Sequence, residues 1–272
     1  AASPHHPCPS TMRVPHAVRR VTDPLIRHLR VPVLSGVNRG RHWGLLSAGA
    51  GYVSGRRQAA QLRLIEQLME PGDTMWDVGA HHGYVTLCAA ARVGPGAQVH
   101  AFEPSAENRA ILERHMRWNG VHNVTVHACA LSDHDGTANF GGAHSSKTRA
   151  LGAGSEQVAV RRGDTLVQER RAAAPTFVKL DVEGAEGDAV AGLVNVLPGH
   201  ARLMIGMHTA AADARCVELL SALGFELVPS AALVRNRRGS WVSDPDLFAI
   251  GPSCEGRERI HATLRQAGFP AA

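Results

Sequence analysis

Three features of this sequence predict an α/β fold in which helices cover both faces of a mostly parallel sheet. The first is Met75 to Ala90 (MWDVGAHHGYVTLCAA), which reads as a buried strand, a tight two-glycine turn and a helix. The second is the next apolar run, Ala97 to Phe102, which stops at Glu103-Pro104. The third is that strand-length apolar runs go on alternating with helical patterns through most of the remaining chain.

Taken in order, residues 1–54 form a basic extension. It holds Arg13, Arg19, Arg20, Arg27, Arg30, Arg39 and Arg41 against one acid, Asp23, and its prolines at positions 4, 7, 9, 15, 24 and 32 spoil a continuous amphipathic helix. No apolar stretch leads to a small-residue cleavage site, which argues against a secretory signal. Ala1 is not an initiator, so either the first residues are trimmed or Met12 is the start. Disorder is expected to about residue 12, followed by a segment that covers part of the core or closes over a ligand.

The main domain is expected from residue 55 to residue 272. Gln58 to Met69 reads as an amphipathic helix with Leu62, Ile65 and Leu68 inward, ended by Pro71-Gly72. After the second strand Pro104 stops the chain's extension, and Ser105 caps a helix running to Asn119 with Gly120 behind it. Val124 to Leu131 (VTVHACAL) reads as a third strand. Residues 137–163 look like an insertion of short β pieces flanking a polar loop, in which His144 and Lys147 could touch substrate or simply be solvated. Thr176 to Leu180 is a fourth core strand ending in Asp181, and a helix is expected from Gly187 to Leu197. Arg202 to Met207 is a fifth strand ending in His208; a helix from Ala211 to Leu223 and strands at 226–228 and 247–250 complete the sheet.

The glycine turn has the spacing DxGxxxG, without the third glycine that seats a pyrophosphate against the helix. An acid ahead of a two-glycine turn suits a nucleoside that bears an amino acid and no phosphate, a description that fits S-adenosylmethionine. Glu103 stands at the tip of the second strand, where ribose hydroxyls bind in such sheets. Gly79, Glu103, Asp181 and His208 all fall at carboxyl ends of strands.

The segments DVGA-HHG (77–83), AFEPS-EN (101–108), ALSDHDG (130–136) and VKLDVEGAE (178–186), in this order, resemble the FkbM-type S-adenosylmethionine-dependent methyltransferases. The resemblance covers about residues 55 to 250. It implies a seven-stranded class I methyltransferase (Rossmann-like) fold and methyl transfer to a hydroxyl oxygen of a sugar, polyketide or other specialised metabolite, as in natural product biosynthesis. On that resemblance Asp77, Gly79, Ala80 and Gly83 would line the methionine end of the donor. Glu103, followed by Pro104, would hold the ribose, and Cys129, Ala130 and Leu131 would flank adenine. His81 replaces the usual Asn of the turn, and Gly206 stands where a Glu is common.

An aliphatic hydroxyl is too weak an acid to ionise unaided, so the acceptor needs a base or a metal. Asp181 is the first candidate base, with His208 sharing or relaying the proton. Alternatively Asp181, Glu183 and His208 hold a divalent cation such as Mg²⁺. Each has a plainer reading: Asp181 as a helix cap, Glu183 and Glu186 as acids favoured at a helix N-terminus, and Lys179 as the ion-pair partner of Glu183 or Glu186. Metal ligation by His81-His82 is disfavoured, because adjacent side chains diverge.

Composition narrows the field. The net charge of +5 comes almost wholly from arginine, since Lys147 and Lys179 are the only lysines, and no aromatic residues interleave with it. Nucleic acid is therefore a disfavoured partner, and the expected partner is a small hydroxylated molecule. No Asn/Asp-Pro-Pro-aromatic tetrad follows the fourth strand, as a nucleic-acid N-methyltransferase would carry. Peptide or nucleic-acid methylation and non-catalytic nucleotide binding remain the alternatives. No run approaches the roughly eighteen apolar residues of a membrane span. Five scattered cysteines, Cys8, Cys88, Cys129, Cys216 and Cys254, without CxxC spacing, point to reduced thiols in the cytoplasm.

Overall fold

The computed structural model describes residues 29–142, 150–152, 154–230 and 246–270. Cys8, the expected disorder before residue 12, and His144 and Lys147 lie outside these. In chain order the elements are β1 (Arg30–Pro32), β2 (His42–Gly44), α1 (Ala50–Val53), α2 (Ala59–Leu68), β3 (Met75–Val78), α3 (Tyr84–Val93), β4 (Val99–Phe102) and α4 (Ala106–Trp118). There follow β5 (Val124–His127), β6 (Ala130–Leu131), β7 (Gly136–Gly141), β8 (Ala150–Leu151), β9 (Glu156–Arg161), α5 (Gly163–Gln168), β10 (Phe177–Leu180) and α6 (Glu186–Ala191). The last are β11 (Arg202–Gly206), α7 (Ala210–Ala222), β12 (Glu226–Pro229), β13 (Asp246–Ile250) and α8 (Arg257–Gln266).

Seven strands make the main sheet in the order β12-β13-β11-β10-β3-β4-β5. All are parallel except β13, which runs antiparallel between β11 and β12. The sheet therefore has the seven-stranded class I methyltransferase layout expected from the sequence. The central strands are continuous apolar runs because both faces are covered. The period of two sends Met75 and Phe177 to one core, with α2, α3 and α8, and Trp76, Val78, Val178 and Leu180 to the other, with α6 and α7. Trp43 and Val33, from the basic extension, are buried in the first of these cores.

Three boundaries differ from the sequence reading. The expected third strand is divided: β5 ends at His127, and Ala130–Leu131 pairs instead with Val160 and Arg161 of β9. The insertion supplies that partner, and β6-β9-β7-β8 form a second, four-stranded sheet. The helix expected from Gly187 to Leu197 stops at Ala191. There the Gly192 carbonyl accepts from Asp164 N (2.8 Å), and the Asp164 carboxylate takes the amide and side-chain nitrogens of Asn195 (3.3 and 2.6 Å), so the helical ladder loses its partners. Strand β11 ends at Gly206, so His208 sits in the loop beyond it.

Candidate active site

A cleft of about 1140 Å³, its open mouth included, lies outside the carboxyl ends of β3, β4 and β10. Its floor is the turn after β3. Gly79 has φ +78°, and a Cβ there would stand 2.1 Å from the backbone oxygen of Asp181, so glycine lets the tips of β3 and β10 touch. At the neighbouring tip Glu103 is 4% exposed. Its carboxylate accepts from His81 N (2.8 Å), Ser105 N (2.9 Å) and Asn108 Nδ2 (3.3 Å), tying the turn to the start of α4. Burial raises its pKa, and these donors pull the other way.

Beside the turn the register of β3 and β10 builds a buried charge cluster. Lys179 lies opposite Asp77, and its Nζ stands 3.7 Å from Asp77 Oδ1 and 3.4 Å from Asp181 Oδ2. The expected pairing of Lys179 with Glu183 or Glu186 is thus corrected: alternation along the strand puts Lys179 on the face of Asp77 and Asp181. Burial disfavours the Lys179 ammonium, but Asp181 and Asp77 outweigh it and raise its pKa. Asp77 is fully buried and accepts from the Thr86 hydroxyl (2.6 Å).

Asp181 opens onto the cleft with its side chain 28% exposed, and Lys179 foremost holds its carboxyl below the usual range. It does not cap α6, which begins five residues later. On its other side His208 Nε2 lies 3.4 Å from Asp181 Oδ1 and 3.9 Å from Glu183 Oε2. His208 Nδ1 lies 2.8 Å from Oε1 of Glu186, a fully buried carboxylate that also accepts from Val182 N and Gly184 N. Burial alone would lower the His208 pKa. The bond to Glu186 and the charges of Glu186, Asp181 and Glu183 prevail and raise it to about 9, so the ring is protonated at neutral pH. A Cβ on Gly206 would come within 3.0 Å of His208 Cε1 and 3.5 Å of Asp181 Oδ1, so this glycine makes room for the pair.

Asp181, Glu183 and His208 each turn one ligand atom into a group within 4.8 Å. Two carboxylates and an imidazole form a donor set that a divalent cation accepts once His208 gives up its Nε2 proton.

Of the residues expected at the donor, Gly79, Ala80, His81, Glu103, Pro104, Ala130 and Leu131 line the cleft. Asp77 lies beneath it, facing Lys179 and Thr86. Gly83 starts α3 and packs against Leu112 and Met116 of α4, and Cys129 is buried with Phe102 and Leu131. The expected divergence of the His81 and His82 side chains is corrected: the turn stacks the two rings at 3.9 Å, and burial and then Lys179 bring the His81 pKa down to about 4. Sequence reasoning missed Trp43, Tyr52, Arg57, Gln58, Tyr84, Phe140 and Leu151, which also line the cleft. Tyr84 could have been found as the first helical residue after the turn. Trp43, Tyr52, Phe140 and Leu151 come from the extension and the insertion, which carry no usable period, and Arg57 and Gln58 from the turn into α2. Trp43 stacks on His115 (3.7 Å) and Tyr52 (5.8 Å), and Tyr84 donates to Tyr52 O (3.0 Å), so the extension is pinned to the start of α3.

These walls fit an adenosyl amino acid: an acid at the β4 tip for ribose hydroxyls, apolar Leu131, Phe140 and Leu151, and an α3 N-terminus with no side-chain cap for a carboxylate.

Among known proteins the chain is similar to the hexuronic acid methyltransferase AglP of Haloferax volcanii, at 28% identity over 169 residues, 59% of this chain and 66% of that protein. It thus spans just under two thirds of that relative. Solved structures that align with it include an S-adenosylmethionine-dependent O-methyltransferase from Thermotoga maritima (16% identity, TM-score 0.46, 72% of this chain and 65% of that one). Another is fibrillarin from Aeropyrum pernix in complex with natively bound S-adenosyl-L-methionine (12%, TM-score 0.44, 70% and 73%). A model of the methyltransferase FkbM domain matches residues 77–227, from Asp77 ahead of the glycine turn to β12. That match takes in more than half of the chain and every strand tip around the cleft, and the protein belongs to the FkbM methyltransferase family.

Proposed function

We propose that this methyltransferase is an O-methyltransferase whose acceptor is a hydroxyl of a small polyhydroxylated molecule, a sugar or sugar acid. The observation that carries the reading is the position of Asp181. Its carboxylate is held between Lys179 and His208, at 3.4 Å from each, on the wall of the cleft that Gly79 and Glu103 also line. The relative named for a hexuronic acid supports the acceptor class.

S-adenosylmethionine supplies an electrophilic methyl whose transfer leaves a neutral thioether. The protein's part is to align the acceptor oxygen, which contributes up to about 7 to 11 kcal/mol, and to receive the hydroxyl proton. Lys179 and His208 keep Asp181 ionised, which makes it a weak base. A weak base suffices here: as the oxygen gains its new C–O bond it takes on oxonium character, and its proton becomes far more acidic than a carboxylic acid. Asp181 then accepts that proton, while protonated His208 holds the carboxylate in place. The test is incubation with radiolabelled methyl donor and a panel of hexoses, hexuronic acids and polyketide alcohols. Label in an alkali-stable ether supports the reading, and label only in an amine or in nucleic acid sinks it.

A second reading rests on the convergence of Asp181, Glu183 and His208. If a divalent cation sits there, it lowers the acceptor's pKa in place of a base. Glu183 separates the two. Under the base reading Glu183→Gln stays within about fivefold of wild type and EDTA has no effect. Under the cation reading both treatments abolish turnover, and Mg²⁺ restores only the EDTA-treated wild type.

A further inference from the structure

The helices that begin at the cleft differ in their first turns. α4 begins with Ser105 as a side-chain cap and Glu107 in its first turn, beside the buried carboxylate of Glu103. α2 and α3 begin without a side-chain cap and without an acid in the first turn. Tyr84 and Val85 at the start of α3, and Arg57 and Gln58 just ahead of α2, line the cleft. An acid-free wall of this kind favours an anion over a cation.

Charge on side chains agrees. Lys179, the buried cation of the cleft, is engaged by Asp77, Asp181 and the Gly79 carbonyl. Arg57 lines the cleft as an exposed residue, and its side chain has no partner among the described residues. Its backbone is fixed, with Arg57 N donating to Gly51 O (3.0 Å), and Gln58 follows in a left-handed conformation (φ +53°) that turns the chain into α2. Gln58 likewise brings an unpartnered amide to the same wall.

Resting on the methyl-donor reading above, we infer that Arg57 binds the carboxylate at the amino-acid end of the donor. Nothing else in the described wall offers that carboxylate a free cation. Because Arg57 follows the segment that Trp43 and Tyr52 pin to α3, donor binding would then draw on residues that lie ahead of the family-matched region.

Isothermal titration of the full chain tests this with two probes: S-adenosylhomocysteine, and 5′-methylthioadenosine, which has the nucleoside but no amino-acid end. Arg57→Gln is expected to weaken S-adenosylhomocysteine by about tenfold or more, the loss of one charge-assisted carboxylate contact, and to leave 5′-methylthioadenosine within about twofold. Thermal melts of the variant at wild-type temperature exclude a folding defect, as the exposure of Arg57 leads one to expect. Unchanged S-adenosylhomocysteine affinity, or equal weakening of both probes, overturns the assignment of Arg57. Binding of neither probe by the wild type overturns the donor reading itself.

Discussion

Glu186 and His208 form a carboxylate–imidazole pair, 2.8 Å apart, the carboxylate fully buried and the ring half-buried, that ties the start of α6 to the loop after β11. Glu186 is fully buried and its two oxygens also take the backbone N–H groups of Val182 and Gly184. Replacing it by Ala strands two amide donors and leaves His208 with Asp181 and Glu183 alone. Each buried amide left without an acceptor costs about 1 to 3 kcal/mol, so Glu186→Ala is expected to lower Tm by at least roughly 4 °C in a chain of this size. A melt within about 2 °C of wild type would show that the pair is dispensable.

Asp181→Asn keeps the shape of the side chain and removes its ability to take a proton. Lys179 keeps Asp77 as a partner, so the fold should survive. Loss of a general base lowers turnover by about 10² to 10⁴, with donor affinity little changed. Single-turnover transfer of label, beside titration of S-adenosylhomocysteine, separates the two quantities. Full turnover in this variant would be incompatible with proton removal by Asp181.

Gly79→Ala attacks the contact between strand tips. A side chain is unfavourable at φ +78°, and the new Cβ would sit 2.1 Å from Asp181 O. The tips of β3 and β10 must separate, which moves Asp181 away from the turn. Donor affinity is expected to fall more than about tenfold and stability by at least about 2 kcal/mol. Calorimetric titration and a denaturant melt measure both, and a variant that binds and melts like wild type would mean that the turn is not part of the site.

The sheet was legible because its central strands are apolar runs bounded by turn residues, and 75–78, 99–102, 177–180 and 202–206 stand close to where periodicity puts them. Glu103 and Asp181 were legible as acids at strand ends. What could not be read is information that lives between elements. The partners of Lys179 depend on the register of β3 against β10, and the fate of Ala130–Leu131 depends on a strand thirty residues later. Glu186 looked like an ordinary acid at a helix start, and its burial comes from the loop that folds over it. Trp43, Tyr52 and Arg57 sit in a segment rich in glycine and arginine whose place is set by contacts with α3 and α4.

Three interior histidines set the response to acid. His115 bridges Gly44 N (3.1 Å) and the His82 carbonyl (2.8 Å), so one ring nitrogen accepts and the other donates, which fixes the neutral tautomer. His100 and His127 share one hydrogen bond at 3.0 Å, while Ala173 N approaches the other nitrogen of His100. Burial lowers all three to about 4 from the ordinary 6.5. Their folded pKa values lie below the unfolded ones, so between pH 6.5 and pH 4 the unfolded chain binds more protons and stability falls as pH falls. Each ring contributes at most about 1.4 kcal/mol per pH unit across that window. Glu103 and Asp77, whose pKa values burial raises, act in the opposite sense and reduce the slope. His81, also held down to about 4, adds to the slope, whereas His208, raised to about 9, gives stability that is lost as pH rises from 6.5 through 9. The expected outcome is a Tm that drops progressively from pH 6.5 to pH 4.5, with a shallower drop in His127→Gln, where one titrating ring is gone, and that declines again above pH 7. A Tm that does not change between pH 7.5 and pH 5 would show that these rings take up their protons without opening the core.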